Sequence, residues 1–136
     1  MHFLDTNAVV HFTKRNRPHL VRRMVQALDD GTELVISPVV LLELEVGVIR
    51  SSTPVAAREA LEMFLSLISA VPPFERRDAE LAARIRAGQL RQGQVIGAFD
   101  LLIAAQAIRS DATIVTNNVR DFSRIPGLKW EDWTLP

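Results

Sequence analysis

The sequence predicts an α/β domain with a central, mostly parallel sheet. Short apolar stretches alternate with longer amphipathic ones along the 136 residues, and this alternation is typical of successive strand–helix–strand units. The length suits one domain with a substantial core, which we expect to span residues 1–136. Ligands of such sheets bind just beyond the carboxyl ends of the strands. Polar residues that directly follow a strand are therefore the first candidates for a functional site.

The first half of the chain predicts two strands and three helices. Each predicted helix opens on a proline, which suits the first turn because its missing N–H has no helical partner there. Apolar residues recur at helical spacing behind each proline. The predicted elements are a strand at 3–4, a helix from 18 to about 28, a strand at 34–36, a helix from 38 to about 50 and a helix that starts at 54.

The second half predicts a nearly all-apolar helix and the clearest strand of the chain. An apolar helix of this kind is expected to be buried on all sides. A weak strand candidate at 70–72 is limited by its proline, which cannot donate to a sheet. The other predicted elements are a helix from about 77 to 92, the apolar helix at 98–110, the strand at 112–116, a helical turn at 119–123 and a last strand near 128–130.

Composition excludes several classes of function. The chain has 16 Lys and Arg, 16 Asp and Glu, and no cysteine, so disulfides, thiolate metal sites and cysteine nucleophiles are absent. The balanced charge gives no hint of a nucleic-acid partner, although it can hide an acidic pocket beside a basic rim. No secretory signal is recognisable and no apolar run approaches the length of a membrane span. We therefore expect a soluble, cytoplasmic protein with no membrane partner.

Four acidic residues either follow a predicted strand or lie among apolar residues. Asp5 follows the first strand, Glu43 lies within VVLLELEVGVI, Asp100 lies within IGAFDLLIAAQAI, and Asp121 follows the last long strand. All four map to one edge of the predicted sheet. No lysine or arginine occurs within four residues of the first three. Converging carboxylates repel without a cation, and an all-oxygen donor set favours Mg²⁺ or Mn²⁺ over zinc.

Each of these residues also has a simpler interpretation when it is taken alone. Asp5 could cap the turn that follows it, Asp100 could favour the positive end of its helix, and Asp121 could pair with a neighbouring arginine. Glu43 and Glu45 are two positions apart and so point to different sides of a helix. One of them must face the apolar side, where a carboxylate needs a cation or hydrogen-bond donors. Only the set of four favours a metal site.

Four stretches of the chain resemble one known family. They are FLDTN at 3–7, ISPVVLLELEVG at 36–47, RAGQLRQGQVIGAFDLLIAAQA at 86–107 and VTNNVRDFSRIPGLKWEDW at 115–133. The sequence resembles the PIN-domain ribonucleases, and specifically the VapC-type toxins of bacterial toxin–antitoxin pairs, over essentially its whole length. The resemblance implies a PIN-like three-layer α/β/α domain.

The resemblance also implies an activity and its partners. It implies an Mg²⁺-dependent endoribonuclease, with Mn²⁺ as a substitute, that hydrolyses phosphodiester bonds in structured RNA such as tRNA and so inhibits translation and growth. Its products would carry a 3′-hydroxyl and a 5′-phosphate. A homodimer and a cognate antitoxin protein are implied as partners.

The family's functional residues fall on positions already singled out. The resemblance implies that Asp5 and Asp100 ligate the metal directly and that Glu43 and Asp121 complete the catalytic acidic set. The further residues expected to line the site are Thr6, Asn7 and Asn117.

Two departures from the family pattern concern the approach to the site. Many members have Gly-Pro where this chain has Gly97-Ala98, which loosens the approach to the third acidic residue. Some PIN domains have an aspartate at the position of Asn118, so whether Asn117, Asn118 or Asp121 completes the site stays open.

Basic residues close to the first acidic motif are the candidates for holding RNA. Phosphate contacts come mainly from lysine and arginine, and Lys14, Arg15 and Arg17 follow soon after Asn7. Arg84 and Arg86 lie on the predicted helix before residue 92, and we interpret them as part of a solvated face.

Three other classes of function remain as alternatives. A catalytically inactive PIN-like module would only bind a partner. A metal-dependent phosphatase of the haloacid-dehalogenase type would have Asp-x-Asp where this chain has Asp5-Thr6-Asn7. A receiver-like phosphorylation switch would need an acidic pair at the first strand and a lysine after a late strand. Metal-dependent cleavage of RNA discriminates the ribonuclease from all three.

Overall fold

Four parallel strands form the centre of the fold. The computed structural model describes residues 1–136, and its sheet has the order β2-β1-β3-β4. Phe3 lies opposite Val35 on one side and Ile114 on the other, so β1 is flanked by β2 and β3. The predicted α/β class with a parallel sheet is confirmed. The strands are β1 (His2–Leu4), β2 (Leu34–Val35), β3 (Thr113–Val115) and β4 (Lys129–Glu131).

Seven helices connect the strands and cover the sheet. Parallel strands need such crossovers, because a tight turn cannot return the chain to the same end of the sheet. Six of the helices agree with the predicted elements to within a few residues. The helices are α1 (Thr6–Lys14), α2 (Pro18–Asp29), α3 (Pro38–Ile49), α4 (Pro54–Leu67), α5 (Arg76–Gln92), α6 (Ala98–Arg109) and α7 (Val119–Phe122).

The sequence patterns did not predict α1. This helix starts directly after β1, with Asp5 as its N-cap and Ala8 N donating to Asp5 Oδ1 at 2.8 Å. The weak strand candidate at 70–72 was largely wrong, since only a single bridge joins Ala70 to Val35. A proline at 72 removes the donor that a longer pairing would need.

One hydrophobic cluster of 25 buried residues lies between the sheet and the helices. Its largest fully buried aromatic side chains are those of Phe3, Phe64 and Phe122. A single domain over residues 1–136 stays a prediction, and this one cluster supports it. None of the helices combines the length and apolarity that crossing a bilayer requires.

A buried ion pair holds α5 against α6. Arg109 Nε donates to Asp78 Oδ1 at 2.5 Å and its Nη2 donates to Oδ2 at 2.8 Å. The Asp78 side chain is fully buried, and its Oδ2 also accepts the Glu75 N–H at 2.7 Å. Burial, the largest single cause, would raise the pKa of Asp78, but the hydrogen bonds from Arg109 and the Glu75 N–H, together with the charges of Arg109 and Arg77, outweigh it and the pKa is lowered. The pair therefore fixes α6, which carries Asp100.

Candidate active site

The first acidic residue lies at the end of the central strand. Asp5 directly follows β1, and its backbone N–H donates to Val115 O at 3.1 Å, which ties the carboxyl ends of β1 and β3 together. The residue is only 5% exposed. Burial and, to a smaller extent, the charge of Asp100 raise the pKa of Asp5 to about 6, against the opposing effect of hydrogen bonds from Thr116 and Ala8. A carboxylate is thus held, at a cost, next to another carboxylate.

Glu43 and Glu45 on α3 have different partners. Thr6 Oγ1 donates to Glu43 Oε1 at 2.7 Å, so the start of α1 orients Glu43. Glu45 instead forms a bidentate pair with Arg58 of α4, at 2.9 and 2.6 Å. Glu45 is therefore a structural ion-pair partner, and Glu43 is left without a cation.

An asparagine amide lies between the other two carboxylates. Asn118 Nδ2 donates to Asp121 Oδ2 at 3.2 Å and to Asp100 Oδ2 at 3.4 Å. Burial raises the pKa of Asp100, the charges of Glu43 and Asp121 raise it further, and the Asn118 hydrogen bond lowers it. Asp5, Glu43 and Asp121 are thus all close enough to couple electrostatically, directly or through Asp100.

None of the four acidic residues has a basic partner. Every ion pair of the structure joins other residues. No three histidine, aspartate or glutamate side chains are arranged to hold a metal ion as they stand. The donor chemistry nevertheless fits a hard divalent cation, since it offers unpaired carboxylate oxygens whose mutual repulsion only a cation relieves.

The remaining candidates lie at different distances from this acidic cluster. Thr6 contacts Glu43, whereas Asn7 and Asn117 are exposed and make no hydrogen bond to it. Asn117 instead lines a separate small depression together with His11 and Trp133. Lys14 lines a cavity of about 440 Å³ together with Thr6 and Glu43, while Arg15 and Arg17 are exposed at the end of α1.

The interpretation of Arg86 as a solvated residue was wrong. Its Nη1 donates to Ile96 O at 3.0 Å and to Gln89 Oε1 at 3.3 Å. The side chain therefore anchors the loop that leads into α6. Arg84, two positions earlier on the same helix, is exposed as expected.

Two residues of the cluster have a position that the sequence patterns did not single out. Thr116 is 1% exposed, favours the charged form of Asp5 and accepts the Asn118 N–H at 2.9 Å. Asn118 is one of the three residues that the sequence leaves open as completing the site. Thr116 follows β3 directly, but the predicted strand extends to residue 116, so the rule that identified Asp5 places Thr116 inside the strand.

Comparison with known proteins gives a consistent family assignment. Residues 2–128 match the PIN domain. The chain is 40% identical to a tRNA(fMet)-specific endonuclease VapC of Shigella flexneri, with 96% of each chain covered. It is 34% identical to Ribonuclease VapC2 of Rickettsia felis, with 98% of each chain covered.

Solved structures agree with the sequence relatives. The structure of VapBC2 from Rickettsia felis bound to a promoter DNA fragment matches with a TM-score of 0.89 at 32% identity, covering 97% of this chain and 98% of that one. DNA-bound VapBC from Salmonella typhimurium matches with a TM-score of 0.88 at 32% identity, covering 97% of each chain.

Proposed function

Because the chain belongs to the PIN-domain family and its full-length relatives are VapC ribonucleases, we propose that it is a metal-dependent endoribonuclease and the toxin of a toxin–antitoxin pair. The observation that carries the proposal is the acidic cluster at the carboxyl edge of the sheet. None of its four carboxylates has a basic partner, and the pKa values of Asp5 and Asp100 are raised. Such an arrangement destabilises the fold and is retained where it serves function.

The cofactor in this proposal is Mg²⁺, for which Mn²⁺ substitutes. Asp5 and Asp100 would hold the ion, with Glu43 and Asp121 as the remaining oxygen donors around it. A bound divalent ion neutralises phosphoryl charge and lowers the pKa of water. The protein's own side chains would hold this ion and orient the reacting water molecule.

Hydrolysis of RNA needs a water molecule aimed at phosphorus and a proton acceptor beside it. Glu43 suits the acceptor role, because Thr6 occupies its Oε1 and no hydrogen bond uses its Oε2. Asn118 positions Asp100 and Asp121 relative to each other through its single amide group. Water attack breaks the bond from phosphorus to O3′, so a 3′-hydroxyl and a 5′-phosphate result.

We further propose structured RNA, and tRNA first, as the substrate, with a cognate antitoxin as protein partner and a homodimer as the assembly. The tRNA(fMet)-specific relatives from Shigella flexneri and Salmonella typhimurium support the substrate. The VapBC complexes among the structural neighbours support the antitoxin. Sedimentation of the purified protein, alone and with the antitoxin, tests the assembly.

The central test is cleavage of purified RNA. We expect the wild-type protein to cut tRNA(fMet) into discrete 5′-phosphorylated fragments with Mg²⁺ and not with EDTA, with an elongator tRNA as comparison. Asp100→Asn should abolish cleavage, while Asp29→Asn, which removes an exposed carboxylate of α2, should leave it intact. Absence of cleavage at every metal concentration would instead favour an inactive partner-binding module.

A further inference from the structure

A second, basic pocket lies beside the acidic cluster. It has a volume of about 240 Å³ and is formed by α5 and the segment after α7. Its polar lining consists of Arg84, Gln89, Gln92 and Arg124, and no acidic residue contributes to it. The charged groups that line the pocket are therefore all positive, and its other polar groups are neutral side-chain amides.

The arginines of this pocket have no partners within the protein. Neither Arg84 nor Arg124 takes part in an ion pair or a side-chain hydrogen bond, in contrast to Arg58 and Arg109. A third guanidinium is close, because a Cβ built on Gly88 in the pocket wall would lie 3.9 Å from Arg91 Nη2. Two arginines therefore line one pocket of a chain whose net charge is zero, and Arg91 lies outside the lining but near its wall.

Two features indicate that the pocket is more than a solvated surface. Gln89 is 7% exposed and its Oε1 accepts from Arg86, while no hydrogen bond uses its Nε2 amide. Gly88 lies in the interior of α5, where glycine costs about 1 kcal/mol relative to alanine. An added Cβ there would meet nothing closer than Arg91 Nη2 at 3.9 Å, so packing against neighbouring residues does not explain the glycine, and a larger side chain at this position would project into the pocket that Gly88 lines.

The pocket adjoins the acidic cluster through α7. Arg124 N donates to Asp121 O at 3.3 Å, so this arginine lies one turn of backbone beyond an acidic residue. The other wall, α5, is joined to the entry of α6 through Arg86 and Ile96 O. Both walls of the pocket are therefore linked to segments that carry acidic residues, one to α7 with Asp121 and the other to the start of α6 with Asp100.

We propose that this pocket binds a backbone phosphate of the RNA substrate, next to the one that is hydrolysed. Arg84 and Arg124 supply the charge and the Gln89 amide supplies a donor. A nucleic-acid phosphate fits better than a protein partner, because protein interfaces are centred on apolar and aromatic anchors and Ile85 and Pro126 are the only apolar groups in the lining. The proposal rests on the ribonuclease function proposed above.

Binding of tRNA measured at several salt concentrations tests the proposal. The protein is the full chain carrying Asp5→Asn in EDTA, so that no cleavage occurs. Arg84→Gln with Arg124→Gln should raise Kd on the order of tenfold and reduce the slope of log Kd against log salt by between about 1 and 2. The matched control, Arg22→Gln with Arg50→Gln, removes the same charge from exposed positions elsewhere and should change neither.

Two further experiments test the phosphate site independently of the ribonuclease function. One fills the pocket with a larger side chain, and the other uses a substrate too small to reach the pocket. Gly88→Leu leaves the charge unchanged and should also weaken tRNA binding. In the active protein, the arginine pair variant should raise KM for tRNA while hydrolysis of bis(p-nitrophenyl) phosphate, which is too small to reach the pocket, stays at the wild-type rate.

The outcomes distinguish the two claims. If wild-type protein cleaves tRNA but the arginine pair variant matches its control in Kd, KM and salt slope, the phosphate site is refuted and the ribonuclease stands. If wild-type protein cleaves neither substrate yet the arginine variant loses tRNA binding, the ribonuclease fails and the phosphate site stands.

Discussion

At the scale of single residues, Asp5 has two roles that conflict energetically. Its carboxylate caps α1 through the Ala8 N–H, which stabilises the fold. Its burial beside Asp100 raises its pKa to about 6, which means that the ionised form is destabilised in the folded protein. The cap needs only an oxygen acceptor, whereas the proposed metal site needs the charge. Substitution by asparagine separates these two requirements.

We expect Asp5→Asn to be more stable than wild type in metal-free buffer at pH 8. The folded pKa of about 6 lies above the ordinary value of 3.8, so ionisation of Asp5 costs up to about 3 kcal/mol of unfolding free energy above pH 6. The cost diminishes as the pH falls from 6 towards 4, where Asp5 is protonated in the folded state. Urea unfolding in EDTA at pH 8 and pH 5 measures it. A variant less stable than wild type at pH 8 would contradict the prediction.

Thr6 offers a test of how Glu43 is oriented. Thr6→Val keeps the shape of the side chain but removes the hydroxyl that donates to Glu43 Oε1. A hydrogen bond to a charged group contributes about 1.5 to 3 kcal/mol, so we expect kcat for tRNA cleavage to fall about tenfold or more, with Thr6→Ser near wild type. Thr13→Val is the matched control, because Thr13 lines the same cavity but donates to a backbone carbonyl. Equal kcat values for Thr6→Val and Thr13→Val would exclude this role for Thr6.

The sequence identified most of the acidic cluster but not the groups that join it. The sequence could predict the four carboxylates because each lies among apolar residues or directly after a strand. They are Asp5, Glu43, Asp100 and Asp121. The sequence could not predict that Asn118, rather than Asn117, contacts the carboxylates, because this depends on how the backbone turns after β3. Two adjacent asparagines are chemically identical in a sequence, and only the loop geometry decides which amide faces the carboxylates.

At the scale of elements, α1 shows where the sequence patterns fail. Its nine residues include Val9, Val10 and two threonines, which have lower intrinsic helix propensity than alanine or leucine. A helix of this length is marginal alone and depends on tertiary packing. The burial of Ala8 and Val9 against the core supplies that packing, and no local pattern reports it. The longer helices carried clearer signals in their prolines and apolar periods.

The buried pair between α5 and α6 should dominate the stability of this hairpin. Asp78→Asn removes the carboxylate and leaves Arg109, which is partly buried, with only Glu75 Oε2 at 3.9 Å, so we expect a loss of about 3 kcal/mol in unfolding free energy at pH 6. Because the folded pKa of Asp78 lies below its ordinary 3.8, the stabilisation is present above that pH and is lost as the pH falls below it. Urea unfolding of wild type and Asp78→Asn between pH 6 and pH 3 measures this. A gap that stays constant to pH 3 would contradict the assignment.

The loop before α6 should depend on Arg86. Arg86→Met removes the donor to Ile96 O and to Gln89, so the loop loses its anchor while the apolar core is unaffected. We expect faster amide hydrogen exchange at residues 93–97 with little change in β1 or β3. Arg84→Met on the exposed face of the same helix serves as control. Unchanged exchange in both variants would show that other contacts hold the loop.

At the scale of the whole molecule, the fold places the strongest electrostatic conflict at one edge of the sheet. The order β2-β1-β3-β4 makes β1 and β3 neighbours, so Asp5 and the residues after Val115 meet although they are far apart in sequence. The alternation of apolar strands and helices was enough to predict this edge. The sequence could not specify which side chains turn towards it, because that depends on loops whose conformations long-range contacts select.

Mg²⁺ should therefore stabilise the folded protein as a whole. A ligand that binds only the folded state adds RT ln(1 + [L]/Kd), about 2.7 kcal/mol at a hundredfold excess over Kd. We expect the melting temperature of wild type to rise with MgCl₂ relative to EDTA, and that of Asp100→Asn to respond much less. Asp29→Asn should respond like wild type. Equal responses of all three proteins would place the cation elsewhere.

The capping role of Asp5 has a consequence for how this protein can be inactivated by mutation. Codons for aspartate and asparagine differ by a single base, and asparagine is as good a helix N-cap as aspartate. One base change can therefore yield a chain that keeps its fold while it loses the charge at the centre of the acidic cluster. Such a chain would still occupy the antitoxin without cutting RNA. A single base change could therefore inactivate the proposed toxin without unfolding it, and the inactive chain would compete with the active one for the antitoxin.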